Sequence, residues 1–226
     1  MRATRFDSTA PAGLTIDLAA ATGDAVSSLD ALHAIVGDPA AVSVDKVQDR
    51  MSRRVMDFVR RSPFFLIATA NEHGACDVSP RGDPAGQVRI LDQRRLVLPD
   101  RQGNNRVDSL RNLVTNPHVG LLFLVPGSDE TLRINGTATI SRHVPLLEQL
   151  AIRGKMPRLA LIVEIAEVYM HCGRAFRRSQ LWDSSSWPAK ADVASMAAVL
   201  KEQLDMPGDL ADLERERNEK YDRTLY

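Results

Sequence analysis

Between Phe64 and Met170 the chain is cut into short apolar runs, most of them joined by links of hairpin length. That succession constrains the fold more than any other feature. Phe64 to Ala70 is a compact apolar run, and Asn71-Glu72-His73-Gly74 reads as a turn with glycine in its last place. Beyond it Cys76, Val78 and Pro80 fall on one face of a strand, and Asp77, Ser79 and Arg81 on the other. Gln87 to Leu91 and Arg95 to Pro99 are two more short runs around Asp92-Gln93-Arg94. Val119 to Val125 is apolar on both faces, as in a strand covered on both sides. After the turn Pro126-Gly127-Ser128-Asp129, Leu132, Ile134, Ala138 and Ile140 alternate with polar residues, and Leu159 to Met170 is the last long strand. Short strands in this order predict a mainly β (α+β) domain built on a closed antiparallel barrel or a sandwich.

Helical spacing frames the strands. Ser27 to Val36 predicts a short helix ended by Gly37 and Pro39. A longer one starts at Ser43, with Val47, Met51, Val55 (or Met56) and Val59 on one side, and stops at Pro63. Val107 to Thr115 and Pro145 to Arg153 interrupt the strands. The tail turns helical at Val193, Met196, Leu200 and Leu204, and again around Leu210 and Leu213. The expected organisation is a single domain over 1–226: a helical extension (1–61), a barrel core (62–182) and a helical tail (190–226). The 226 residues carry 29 basic and 29 acidic side chains, and this balance argues against a general nucleic-acid binder. Cys76 and Cys172 form no disulfide framework or metal spacing. No apolar run is long enough for a membrane span, so a cytoplasmic protein is expected.

Three stretches carry chemistry. In residues 100–106, Asp-Arg-Gln-Gly-Asn-Asn-Arg precedes a helix, whose first N–H groups and dipole can hold an anion. Gly103 would permit close backbone approach, Asn104 and Asn105 add amide donors, and Arg101 and Arg106 suit a phosphate. Ser109, in the first turn, adds a hydroxyl. A plain polar turn with a capped helix is the alternative. In the second stretch Asp77, Ser79 and Arg81 share a face beside Pro80, which places the segment at an edge or bend; a cleft and a solvated outer face both fit. The third, His171 to Trp182, offers Arg178, Ser179 and a Trp182 that either covers a planar ligand or fills the core.

Phosphate-loop, dinucleotide-fold, zinc-protease and hydrolase motifs are absent, and the five histidines show no metal spacing. Phosphate-binding parts without an evident acid, base or nucleophile suggest that a cofactor supplies the chemistry.

Cys76 to Pro84, Leu96 to Pro126 and His171 to Trp182, with Gly-Asn-Asn-Arg, Asn-Pro-His-Val and Asn135-Gly136 in this order, resemble the pyridoxamine 5′-phosphate oxidase-like FMN-binding split barrels. The resemblance implies a six-stranded Greek-key split barrel with flanking helices, forming a homodimer with FMN at the interface. It implies that Asn105, Arg106 and Ser109 hold the flavin phosphate, that Ser79 and Arg81 lie at the ring edge, and that Arg178, Ser179 and Trp182 stand near the cofactor. An FMN-dependent oxidoreductase acting on an unidentified small molecule is then expected. The rival expectations are a flavin-binding sensor without turnover and an interaction module with an empty cleft. The biosynthetic oxidases' lysine-bearing strand motif is replaced here by Val78-Ser79-Pro80-Arg81, and their arginine-rich substrate motif by Gly173 to Ser179. Both changes argue against pyridoxamine phosphate as substrate.

Overall fold

The computed structural model describes residues 17–226, and the chain falls into two compact units, Met1–Val44 and Asp45–Tyr226. In the first unit the Ser28 hydroxyl caps α2 (Leu29–Val36) by accepting from the Ala31 amide at 3.1 Å, and Gly37 ends the helix at φ 72°. α1 (Leu18–Gly23) precedes it, and α3 (Ala41–Asp45) runs across the unit boundary.

The helix expected from Ser43 does not run through. Gln48 exchanges backbone hydrogen bonds with Val168 (3.1 and 2.7 Å), and the Met51 amide donates to the Gln93 carbonyl at 2.7 Å. This segment's amides are therefore used by the sheet, and Met51 is fully buried. Helix resumes at α4 (Arg53–Arg61) once Ser52 accepts from the Val55 amide.

Seven strands form one antiparallel sheet: β1 (Phe64–Ala70), β2 (Cys76–Gly82), β3 (Arg89–Ile90), β4 (Arg95–Asp100), β5 (His118–Leu124), β6 (Thr131–Ser141) and β7 (Leu159–His171). Their order is β2-β1-β5-β6-β7-β4-β3. This is one strand more than the expected six, because Arg89–Ile90 pairs with Val97 and Leu96 as a short hairpin edge. Alternation sends Phe65 and Ile67 from β1, Leu121 and Phe123 from β5, and Leu132 and Ile134 from β6 into one core. The Phe65 and Phe123 rings meet there at 4.9 Å. Opposite Asn135-Gly136 the register slips by a residue, because Asn135 pairs with Glu167 and Gly136 with Ile165, so β7 carries a bulge at Ala166.

β5 departs from the expectation of two covered faces. Val119, Leu121 and Phe123 are buried, whereas Gly120, Leu122 and Leu124 are half-buried. With Phe64 (37% exposed) and Val78 (60% exposed) they leave an apolar outer face that nothing among the described residues covers.

Short helices complete the core. α5 (Asp108–Thr115) buries Leu110 and Leu113, and α6 (Val144–Gln149) buries Leu147. α7 (Arg174–Ser179) follows β7; α8 (Met196–Leu204) and α9 (Leu210–Thr224) form the tail. Among the described residues no helix is long and apolar enough to cross a membrane.

Candidate functional site

β2 and β4 are not neighbours in the sheet, and a groove of about 1570 Å³ opens where their ends approach. Its lining comes from β2, the end of β4, residues 101–107, the first turn of α5, and α8 and α9. Seven of the sequence candidates meet there: Ser79, Arg81, Arg101, Asn104, Asn105, Arg106 and Ser109.

The alternation of β2 explains part of this gathering. Asp77, Ser79 and Arg81 are half-buried while Cys76, Val78 and Pro80 are exposed. The polar side of β2 therefore lines the groove, and the apolar side faces out. Two ion pairs bridge the split. Arg81 donates from Nη1 to Asp100 at 2.9 Å, and Arg101 donates from Nε to Asp83 at 2.8 Å. Each lip contributes one arginine and one aspartate, so the pairs are crossed. Arg101 also donates from Nη1 to the Leu150 carbonyl at 2.9 Å. It is thus committed to the barrel wall instead of standing free in the turn.

Burial raises the Asp100 pKa above its ordinary value of 3.8, and the Arg81 guanidinium only partly offsets this. In Arg81→Ala the offset disappears, so the Asp100 carboxyl, followed by carbon NMR against pH, should titrate higher still. A lower midpoint in the variant would mean that Arg81 does not act on this carboxylate. Linkage sets the sign of the stability effect: a carboxyl that protonates more readily folded than unfolded costs stability above its folded pKa. That cost is relieved as pH falls through the folded pKa.

The turn before α5 is built on unusual backbone. Asn105 and Val107 have φ of 59° and 51°, left-handed values that cost a β-branched residue about 1–2 kcal/mol. The Asn104 carboxamide oxygen accepts from the Arg106 amide at 3.0 Å. Val107, the N-cap, has no side chain able to cap α5. Among the described residues the amides of Val107, Asp108, Ser109 and Leu110 find no protein acceptor. The Arg106 guanidinium pairs with Asp108, the first residue of α5. The backbone of Gly103 is not left-handed, and a side chain there would meet nothing within 4 Å among the described residues, so nothing in them requires glycine at this place.

Ser109 is buried beneath the turn, and its hydroxyl donates to Asp77 at 2.8 Å. Its backbone amide, not its hydroxyl, belongs to the open set. Among the described residues three buried side-chain atoms lack a partner: Arg81 Nε, Arg101 Nη2 and Gln87 Oε1. Four amides without acceptors, beside the Arg106 side chain, make an environment that accepts a negatively charged, acceptor-rich molecule. An FMN phosphate and flavin ring are of that kind.

Arg178, Ser179 and Trp182 lie apart from this groove. Trp182 donates from Nε1 to the Ser128 carbonyl at 2.8 Å and stacks on Phe176 at 5.8 Å. The Ser179 hydroxyl donates to the Phe176 carbonyl at 3.1 Å, and Arg178 is exposed. It is Arg177 that pairs with Asp129, at 2.8 Å. At Gly173 a side chain would come within 2.5 Å of Asp129 Cβ, so glycine is what lets α7 dock on this turn.

Sequence reasoning gave no binding role to the acids that organise the groove: Asp77, Asp83 and Asp100. Their signal was present, because the alternation Asp77, Ser79, Arg81, Asp83 runs past the end of β2 and mirrors Asp100-Arg101. The groove-lining residues of α8 and α9 carried no comparable signal.

Three solved structures show how this chain compares with others. HupZ of Group A Streptococcus is 16% identical over 52% of this chain and 91% of its own, with a TM-score of 0.43. A Clostridium acetobutylicum protein related to general stress protein 26, of the pyridoxinephosphate oxidase family, is 17% identical over 52% and 87%, with a TM-score of 0.38. HutZ, the heme storage protein of Vibrio cholerae, is 14% identical over 54% and 94%, with a TM-score of 0.35. No curated protein matches the chain. The profile described as pyridoxamine 5′-phosphate oxidase matches residues 51–172, more than half of the sequence and all seven strands. With its split antiparallel sheet and flanking helices, the chain belongs to the pyridoxamine 5′-phosphate oxidase family.

Proposed function

We propose that the groove holds FMN and that the protein is an FMN-dependent oxidoreductase acting on a small molecule as a cytoplasmic homodimer. The observation that carries this reading is the uncapped start of α5, with four amides lacking acceptors beside Arg106. A phosphate satisfies such amides and gains from the helix dipole. Asn104, Asn105 and Arg106 would hold the phosphate together with those amides. Ser79 and Arg81, on the groove side of β2, would meet the ring edge. The bound FMN would supply hydride transfer to or from the substrate. Arg81 would add positive charge where a reduced flavin carries negative charge, an electrostatic contribution that Asp100 moderates. Arg101, tied to Asp83 and Leu150, would keep the lips of the groove in register.

The uncovered apolar face of β1, β2 and β5 supports a homodimer, because a second copy would bury Phe64, Val78, Leu122 and Leu124. In such a dimer Arg178, Ser179 and Trp182 would stand near the cofactor. The exposed free thiols of Cys76 and Cys172 suit a reducing compartment. Native mass spectrometry after incubation with excess FMN and desalting tests both parts at once. The expected species is two chains with two FMN. A flavin-free chain would overturn the cofactor, and a monomer retaining FMN would overturn the dimer.

A further inference from the structure

α8 and α9 lie outside the matched segment 51–172, yet they line the same groove as residues 101–107. At about 1570 Å³ the groove is larger than the ~300–1000 Å³ usual for one small ligand. Leu213, Arg217 and Tyr221 share one face of α9 at spacings of four residues. All three line the groove, with Met196 and Leu200 of α8 beside them.

Arg217 is the distinctive member. It is half-buried, and Nη1 donates to Tyr221 Oη at 3.1 Å and contacts Met196 Sδ at 3.2 Å. Its guanidinium carbon stands 5.8 Å from the centre of the Tyr221 ring. Both groups that fix it are neutral, and no carboxylate lies within 4 Å of it among the described residues. Nε and Nη2 have no protein acceptor there. A half-buried cation without a counter-charge is stabilised when an anion enters beside it, and the free edge of a guanidinium suits a planar oxyanion. Glu216 and Glu219 also line the groove, as do Lys220 and Arg223, so apart from Arg217 the charges that α9 brings to the groove balance, and the one in excess suits a single negative charge. Met196, Leu200, Leu213 and Tyr221 offer apolar contact to the rest of the ligand.

We infer that α8 and α9 form a second ligand subsite, in which Arg217 receives the anionic group of a small molecule with an apolar, aromatic body. The subsite rests on the FMN reading in one respect: its occupant is the substrate beside the flavin. Benzoate is a suitable probe, with neutral benzamide as its control. Binding is measured by calorimetry on protein incubated with FMN, alongside the number of flavins retained. Benzoate should bind at least tenfold tighter than benzamide. Arg217→Ala should weaken benzoate about tenfold or more while leaving benzamide unaffected, and Arg217→Lys should fall between. Equal affinities for the two probes, or benzoate binding insensitive to Arg217→Ala, would overturn the subsite. Flavin retention in each variant reports that the groove is folded. If no flavin is retained, the FMN reading fails, and the benzoate comparison on the same protein still decides the role of Arg217.

Discussion

Gly136→Ala should be among the most destabilising single-methyl substitutions in the protein, lowering stability by about 3 kcal/mol or more. Opposite the bulge in β7 a first side-chain carbon on residue 136 would sit 2.0 Å from the Glu164 carbonyl oxygen and 3.2 Å from Ile165 Cα. Both obstacles are backbone of β7, so no side chain can swing aside. Relief requires β6 to lift from the strand with which it shares its longest ladder. For a chain of this size that loss corresponds to about 6–12 °C in thermal midpoint, readable by circular dichroism or calorimetry. A drop under about 2 °C, below what even 1 kcal/mol produces, would mean that the strands separate easily at this point.

Arg106→Ala should weaken FMN binding about 10–150-fold, the loss of one charge-assisted phosphate contact. Fluorescence titration with FMN and with riboflavin separates the contact from general damage. Riboflavin lacks the phosphate and should bind wild type and variant alike. Arg106 is mostly exposed, and among the described residues its only ion-pair partner is Asp108, so its removal disturbs little of the fold. FMN affinity unchanged in the variant would remove the phosphate from the start of α5.

The strands were legible because each buries alternate residues. Phe64–Ala70 appears with the expected bounds, and Leu159–His171 differs by one residue. Period-two alternation is a local consequence of burying one face, and a sequence displays it directly. The stretch from Ser43 misled for the complementary reason. Its apolar spacing suits a helix, but Gln48 and Met51 use their backbone groups on Val168 and Gln93, and long-range pairing leaves no periodic trace. The site was legible by residue type and partly obscured by partnership. Arg81, Arg101 and Ser109 do meet at the groove, yet each is held by an aspartate far away in sequence. The α8–α9 wall was legible as a helical tail but not as part of the site, since the apolar stripe of a tail helix does not say which surface it meets.

The crossed pairs Arg81–Asp100 and Arg101–Asp83 also bear on how this sequence can drift. Their side chains are no more than about a quarter exposed, so replacing one member alone strands its partner's charge beside the groove. Such an uncompensated group costs roughly 1–3 kcal/mol, a large share of the margin by which a domain stays folded. Replacing both members of a pair together avoids that intermediate, because two neutral groups need no counter-charge. Positions 81 and 100, and likewise 83 and 101, are therefore tied as couples: a lineage that loses an arginine from one lip is under pressure to give up the facing aspartate on the other.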